Sequence, residues 1–87
     1  MSDSIAVLHV DDDPSFTELV ATFLERRDKF HTVETERRAS DGLERLSEAD
    51  VDCVVSDLDM PGSNGIEFLE TVREDHPDLP FILYTGK

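Results

Sequence analysis

The sequence has a single cysteine, Cys53, no tryptophan and no long hydrophobic run. One cysteine cannot form an internal disulfide, and a cysteine inside a short apolar segment is typical of a buried free thiol in a reducing compartment. A membrane-spanning helix needs about 20 consecutive apolar residues, and the N-terminus lacks the basic segment that opens a secretory signal. These absences predict a soluble cytoplasmic protein that does not bind membranes.

Basic residues are also scarce: eight lysines and arginines face 21 acidic residues, which gives a formal net charge of −13. A surface of this sign repels the phosphates of nucleic acids and anionic lipids, so direct binding to nucleic acid is not expected. The acidic residues are spread along the whole chain rather than gathered in a tail. This composition resembles that of proteins from salt-accumulating halophiles, haloarchaea in particular, and an ordinary acidic domain is the alternative.

The chain of 87 residues is long enough for one small domain and contains no internal repeat or linker. Apolar and β-branched runs alternate with segments whose apolar residues recur every three or four positions, the pattern of amphipathic helices. Pro14 suits the first turn of a helix, and Ser40 is a candidate N-cap for the second. Phe16, Leu19 and Phe23 lie on one apolar helix face that we expect to be core. The predicted strands are residues 5–10, 30–36, 53–56 and 81–84, with a helix between each pair.

This β-α-β-α-β-α-β order predicts an α/β fold in which helices cover both faces of a parallel sheet. Parallel strands joined by right-handed crossovers end at the same edge of the sheet, where open sheets of this kind bind their ligands. Asp57 lies at the carboxyl end of the third predicted strand, and Asp11, Asp12 and Asp13 follow the first. We therefore expect these carboxylates to converge at this edge, with Thr85 beside them from the end of the fourth strand.

Converging carboxylates repel one another, and their pKa values rise unless a cation lies between them. Hard oxygen ligands suit Mg²⁺, which keeps some of its waters and leaves room for a phosphoryl oxygen. One carboxylate can then attack phosphorus while the metal neutralises charge on the transferred group. The pattern indicates an aspartate that accepts a phosphoryl group with Mg²⁺ or Mn²⁺ as its cofactor.

Three motifs in this order resemble the receiver domain of two-component response regulators, the CheY-like superfamily. They are residues 10–14 (VDDDP), residues 57–62 (DLDMPG) followed by Gly65, and residues 84–86 (YTG). The resemblance covers residues 1–87 as a partial receiver domain and implies an open, doubly wound sheet of flavodoxin-like order 2-1-3-4. The family's last helix, strand and helix are missing from these residues, and with them the lysine and the switch aromatic of the fifth strand.

The resemblance implies specific roles for the acidic residues. Asp57 would be the phosphoacceptor, taking its phosphoryl group from a phosphohistidine on a histidine kinase or a phosphotransfer protein. Asp12 would bind Mg²⁺ directly and Asp11 would assist it through water. The backbone carbonyl of Asp59 would supply a further ligand, and Asp13 occupies a variable neighbouring position.

The resemblance also implies how the transferred group is held. Thr85 would donate a hydrogen bond to one phosphoryl oxygen, and the backbone N–H groups of Leu58 and Gly86 would bind the others. Such a domain is a signalling phosphoacceptor rather than an enzyme with turnover. Further sensory or kinase domains in the same parent chain are possible partners.

Two other functions fit part of the pattern. Residues 57–59 form an Asp-x-Asp pair, which haloacid-dehalogenase-like phosphatases use as nucleophile and acid/base, although there the pair ends the first strand rather than the third. The same fold can also serve as a phosphorylation-independent protein-interaction module. Catalytic turnover distinguishes the phosphatase, and failure to bind metal distinguishes the interaction module.

Overall fold

Four parallel strands form the central sheet, in the order β2-β1-β3-β6. A computed structural model describes residues 5–26, 32–60 and 62–85. The helices are α1 (Pro14–Glu25), α2 (Ala39–Glu48) and α3 (Gly65–Asp75). The strands are β1 (Ala6–Val10), β2 (Thr32–Glu36), β3 (Cys53–Asp57), β4 (Asp59–Met60), β5 (Ser63–Asn64) and β6 (Phe81–Tyr84).

The interior strands are buried as their apolar runs predict. β1 pairs with β2 on one side and β3 on the other, and β3 pairs with β6. Leu8, Val10 and Val54 are each 0% exposed, which is the burial expected of parallel strands covered on both faces. The strand order confirms the predicted flavodoxin-like α/β fold, with β6 as the fourth predicted strand.

Helices lie on both faces of this sheet. Phe68 and Val72 of α3 join Leu8 and Val10 in the main hydrophobic cluster, so α3 packs on the Leu8 face. Successive side chains of a strand point to opposite faces, and His9 therefore lies on the other face, where the ring of Phe16 from α1 is 5.8 Å away. The carboxyl ends of β1 and β3 lie side by side at one edge of the sheet, and they position the acidic residues there.

The start of α2 differs from the prediction. Ser40 was expected to be the N-cap, but the helix begins at Ala39 and Arg38 occupies the N-cap position without a side-chain cap. Ala39 is only 8% exposed and belongs to the hydrophobic cluster. Burial of this methyl group brings residue 39 into the helix, and Ser40 is left in the exposed first turn.

The apolar face predicted for α1 is core only in part. Leu19 and Phe23 are 65% and 55% exposed, so the expectation that they are core is wrong among the described residues. Thr17 is the buried residue of the helix, and Phe16 and Val20 are half-buried. The helix therefore turns its Thr17 side to the sheet, which leaves Leu19 and Phe23 on its outer side.

A two-stranded hairpin between β3 and α3 was not predicted. β4 and β5 pair in antiparallel register, Asp59 with Asn64 and Met60 with Ser63. Gly62 supplies the turn with a φ of 78°, a backbone conformation that favours glycine. The hairpin ends in a capping box, in which Asn64 accepts the N–H of Glu67 and the Glu67 carboxylate accepts the N–H of Asn64. This box fixes the first turn of α3 beside the end of β3.

Candidate functional site

Three carboxylates converge at the carboxyl edge of the sheet. Asp11, Asp12 and Asp57 each offer an oxygen atom, and these atoms lie within 4.8 Å of one another. Asp11 is 0% exposed and Asp57 is 3% exposed, whereas Asp12 is half-buried. The structure thus brings together three of the four carboxylates that the strand-end argument placed at this edge.

The donor set of this acidic cluster (Asp11, Asp12 and Asp57) fits a hard divalent cation. All three atoms are carboxylate oxygens, the ligands that Mg²⁺ prefers. Mg²⁺–oxygen bonds of about 2.1 Å hold opposite ligands about 4.2 Å apart, so small side-chain rotations would bring these oxygens onto one ion. Burying two carboxylates beside a third is unfavourable without such a counter-charge.

Hydrogen bonds hold Asp11 in place. Its Oδ1 accepts the backbone N–H of Asp13 at 2.9 Å, and its Oδ2 accepts a short bond from the hydroxyl of Tyr84. The Tyr84 oxygen also lies 2.8 Å from Nε2 of His9, which is fully buried. Burial and the bond to Asp11 raise the pKa of the Tyr84 phenol well above its usual value, so this hydroxyl keeps its proton.

Tyr84 and His9 are site residues that the sequence argument missed. His9 is completely buried, and its Nε2 lies beside the Tyr84 hydroxyl. The available signal was position: His9 stands two residues before Asp11, and Tyr84 stands next to Thr85 at a strand end. Both side chains approach the acidic cluster from the sheet below it.

The backbone around Asp57 corrects one predicted contact. Leu58 was expected to offer its N–H to a phosphoryl group, but this N–H donates to the carbonyl of Tyr84 at 2.9 Å and extends the pairing of β3 with β6. The next amide, that of Asp59, donates to Oδ1 of Asp57 at 3.2 Å. Because neighbouring amides of an extended strand point in opposite directions, the N–H that faces the Asp57 carboxylate belongs to Asp59.

The remaining predicted residues lie around this edge. Thr85 is exposed and directly follows Tyr84, which pairs with Asp57 in the sheet register. Asp13 caps α1 by accepting the N–H groups of Ser15 and Phe16. The predicted contact from Gly86 lies outside the described residues, and the metal-binding role of the Asp59 carbonyl stays a prediction.

Comparison with known proteins identifies the family to which this chain belongs. Residues 7–87 match the family model of the response regulator receiver domain. The chain therefore belongs to the receiver-domain family, and the resemblance drawn from its motifs is confirmed. Receiver domains are the phosphoacceptors of two-component signalling, and that is the role of this chain.

Individual relatives show how the domain is used elsewhere. The chain is 32% identical over 83 residues to a protein-glutamate methylesterase/protein-glutamine glutaminase of Geobacillus kaustophilus, covering 95% of this chain and 24% of that protein. It is 31% identical over 87 residues to the regulatory protein VanR of Enterococcus faecium, covering 100% of this chain and 36% of that protein. The chain thus spans about a quarter to a third of the length of these curated relatives.

Solved structures share the fold. The N-terminal domain of a response regulator receiver protein from Methanoculleus marisnigri superimposes with a TM-score of 0.86 at 31% identity, covering 94% of this chain and 67% of that one. A chain from the crystal structure of the histidine kinase ThkA in complex with the response regulator protein TrrA matches with a TM-score of 0.86 at 28% identity, again over 94% of this chain and 67% of that one. Within the described part of this chain, no helix has the length and apolar character needed to cross a membrane.

If the acidic cluster binds Mg²⁺, the ion should stabilise the folded domain. A ligand at 100 times its Kd adds about 2.7 kcal/mol to the free energy of unfolding, so melting curves recorded with Mg²⁺ should shift upward. Asp12→Ala should remove this shift. Asp50→Ala makes the same charge change at an exposed position before β3, at the opposite edge of the sheet, and should keep it. Equal melting temperatures with and without Mg²⁺ in the unmutated domain would contradict a metal site here.

Proposed function

We propose that Asp57 is the residue that accepts the phosphoryl group, that Mg²⁺ assists the transfer, and that the donor is a phosphohistidine on a histidine kinase or phosphotransfer protein. The observation that carries this proposal is the position of the Asp57 carboxylate within 4.8 Å of oxygens from Asp11 and Asp12. The relation to a solved complex between a histidine kinase and its response regulator supports the partner class.

The proposed transfer assigns a task to each nearby group. An oxygen of Asp57 attacks phosphorus, and the bond between phosphorus and the donor's imidazole nitrogen breaks with its electron pair staying on nitrogen. The Asp59 N–H, 3.2 Å from Oδ1 of Asp57, holds the carboxylate in one orientation. Thr85 at the end of β6 donates its hydroxyl to a phosphoryl oxygen, and we extend this assignment to the backbone N–H of Gly86.

Asp12 and Asp11 are proposed to hold the ion, together with Asp57 and the backbone carbonyl of Asp59. When bound, Mg²⁺ would neutralise the negative charge that accumulates as the phosphoryl group approaches the carboxylates. Half-buried Asp12 is the proposed direct ligand. Asp11 has a protein donor on each oxygen and is therefore suited to a supporting position.

The proposal excludes sustained turnover. Asp57 is consumed by each transfer, and the described residues place no further side-chain carboxylate in the cluster with Asp11, Asp12 and Asp57 to act as a separate acid/base. We therefore assign the chain a stoichiometric signalling role rather than phosphatase activity. Its compartment, expected to be the cytoplasm, stays a prediction.

The test is intact-mass spectrometry after incubation with acetyl phosphate and Mg²⁺. The unmutated domain should gain one phosphoryl group, Asp57→Asn should gain none, and Asp50→Asn, an exposed acid before β3 at the opposite edge of the sheet, should still gain one. An adduct on Asp57→Asn would place the acceptor elsewhere. Repeated turnover of the donor would favour the phosphatase, and no adduct on a domain that binds no metal would favour the interaction module.

A further inference from the structure

A chain of hydrogen bonds connects the acidic cluster to the interior of the sheet. Asp11, Tyr84 and His9 form it, with His9 and Asp11 both 0% exposed. Tyr84 stands 73 residues after Asp11 in the sequence. Its strand, β6, is separated in the sheet from β1, the strand that Asp11 follows, by β3. The contact therefore results from the tertiary fold and not from a local motif.

The direction of these hydrogen bonds follows from their chemistry. An ionised carboxylate can only accept, so the Tyr84 hydroxyl donates its proton to Asp11. The phenol oxygen is then an acceptor toward His9, whose Nε2 must carry the proton that it shares over 2.8 Å. Ring contacts fix the geometry further, since the Phe16 ring lies 5.8 Å from His9 and 5.6 Å from Tyr84.

This arrangement restricts the Asp11 carboxylate. One oxygen is held by the Asp13 N–H and the other by Tyr84, so rotation about the side chain would break at least one bond. Groups that orient metal ligands in this way commonly change metal affinity by about 10–100-fold when removed. Tyr84 thus controls the orientation of a cluster residue without standing among the proposed ligands.

The main chain of Tyr84 contacts the segment that carries Asp57. Its carbonyl accepts the Leu58 N–H at 2.9 Å, and it pairs in register with Asp57. One residue therefore contacts Asp11 through its side chain and the acceptor strand through its backbone. It also directly precedes Thr85.

We propose that Tyr84 is a positioning residue for the divalent cation: its hydroxyl, held by His9, fixes Asp11 in the orientation in which the acidic cluster binds metal. The inference rests on the proposed metal-assisted function. The inference has two parts. The first is that Tyr84, a residue outside the ligand set, determines metal affinity. The second is that the environment of Tyr84 changes when the cation binds.

Metal affinity tests the first part, with Mn²⁺ as the probe and the free ion measured by electron paramagnetic resonance. Tyr84→Phe should bind Mn²⁺ about 10–100-fold more weakly than the unmutated domain. Thr17→Val is the matched control, because it also removes a hydroxyl from a buried residue, and that hydroxyl donates to the Pro14 carbonyl at 3.1 Å rather than to a carboxylate of the acidic cluster. It should leave Mn²⁺ affinity unchanged.

A pair of His9 variants gives a second measure that does not depend on the folding of Tyr84→Phe. His9→Gln keeps a side-chain N–H that can donate to Tyr84 and should preserve Mn²⁺ binding, whereas His9→Phe keeps the ring and loses the donor, and should weaken it. Equal affinities for both variants would overturn the role given to His9 and Tyr84.

Fluorescence tests the second part. Tyr84 is the sole tyrosine of a chain without tryptophan, so ultraviolet emission reports on this residue alone. Adding Mn²⁺ or Mg²⁺ should change the Tyr84 emission, and half of the change should occur at the cation concentration that half-saturates the site. If the unmutated domain binds no cation, the metal-assisted function and this inference both fail. If it binds the cation while Tyr84→Phe binds equally well, or while the emission stays constant, the inference alone fails.

Discussion

Gly65→Ala should strongly destabilise the domain and impair phosphorylation of Asp57. A Cβ at this position would lie 2.5 Å from the backbone oxygen of Asp57, 2.6 Å from a methyl of Leu83 and 3.0 Å from the Cα of Leu58. Two of these atoms belong to the backbone of Asp57 and Leu58 and cannot rotate away. Overpacking of this kind costs about 1–3 kcal/mol and sometimes more, and relief requires α3 to move away from the end of β3.

Urea unfolding and acetyl phosphate labelling measure the two effects of Gly65→Ala. Gly42→Ala is the matched control, because its Cβ would meet only side-chain atoms, of Val10 at 3.0 Å and Phe68 at 3.1 Å. These side chains need to give way by only a few tenths of an ångström, and alanine is favoured over glycine inside a helix by about 1 kcal/mol. Gly42→Ala should therefore be close to neutral. Equal losses for the two variants would show that contact with the acceptor backbone is not the cause.

Phe68→Ala should remove most of the stability of the domain. Phe68 is 1% exposed, belongs to the main hydrophobic cluster and packs edge-on against Phe81 with ring centroids 5.4 Å apart. Replacing a buried phenylalanine by alanine costs about 3–5 kcal/mol, against a total of about 5–15 kcal/mol for typical domains. Urea unfolding should show a much lower midpoint or no folded baseline.

Phe23→Ala is the control for this truncation. It removes the same atoms from the outer side of α1, where the ring is 55% exposed, and should change the free energy of unfolding by about 0.5 kcal/mol or less. A loss as large as that of Phe68→Ala would mean that the outer side of α1 is covered in solution.

The sequence predicted the parts of the molecule that depend on pattern. Continuous apolar runs indicated buried parallel strands, and residues such as Leu8 and Val54 are indeed fully buried. Because parallel strands end at one edge of a sheet, the sequence positions of Asp57 and Asp11 are sufficient to place them together. Strand periodicity and strand ends are enough for this inference, since neither depends on side-chain detail.

The failures concern features that tertiary packing decides. Nothing in the sequence shows which side of α1 meets the sheet, so Leu19 and Phe23 were assigned to the core. The direction of the Leu58 N–H depends on its pairing with Tyr84, and the Tyr84–Asp11 bond depends on a side chain crossing from β6 toward the end of β1. Such contacts join residues far apart in sequence and leave no local signature.

The position of β1 inside the sheet determines the order in which the contacts of the acidic cluster form during folding. Asp11 directly follows β1 and Tyr84 lies in β6, and β3 separates these two strands in the sheet. Bringing Tyr84 to Asp11 closes a loop of 73 residues, which is entropically costly. We therefore expect this contact to form after β3 has paired with β1. A growing chain therefore carries all three carboxylates before it carries the hydroxyl that orients Asp11. High cation affinity therefore requires β6 to have paired with β3, and it distinguishes domains in which this pairing has formed from domains in which it has not.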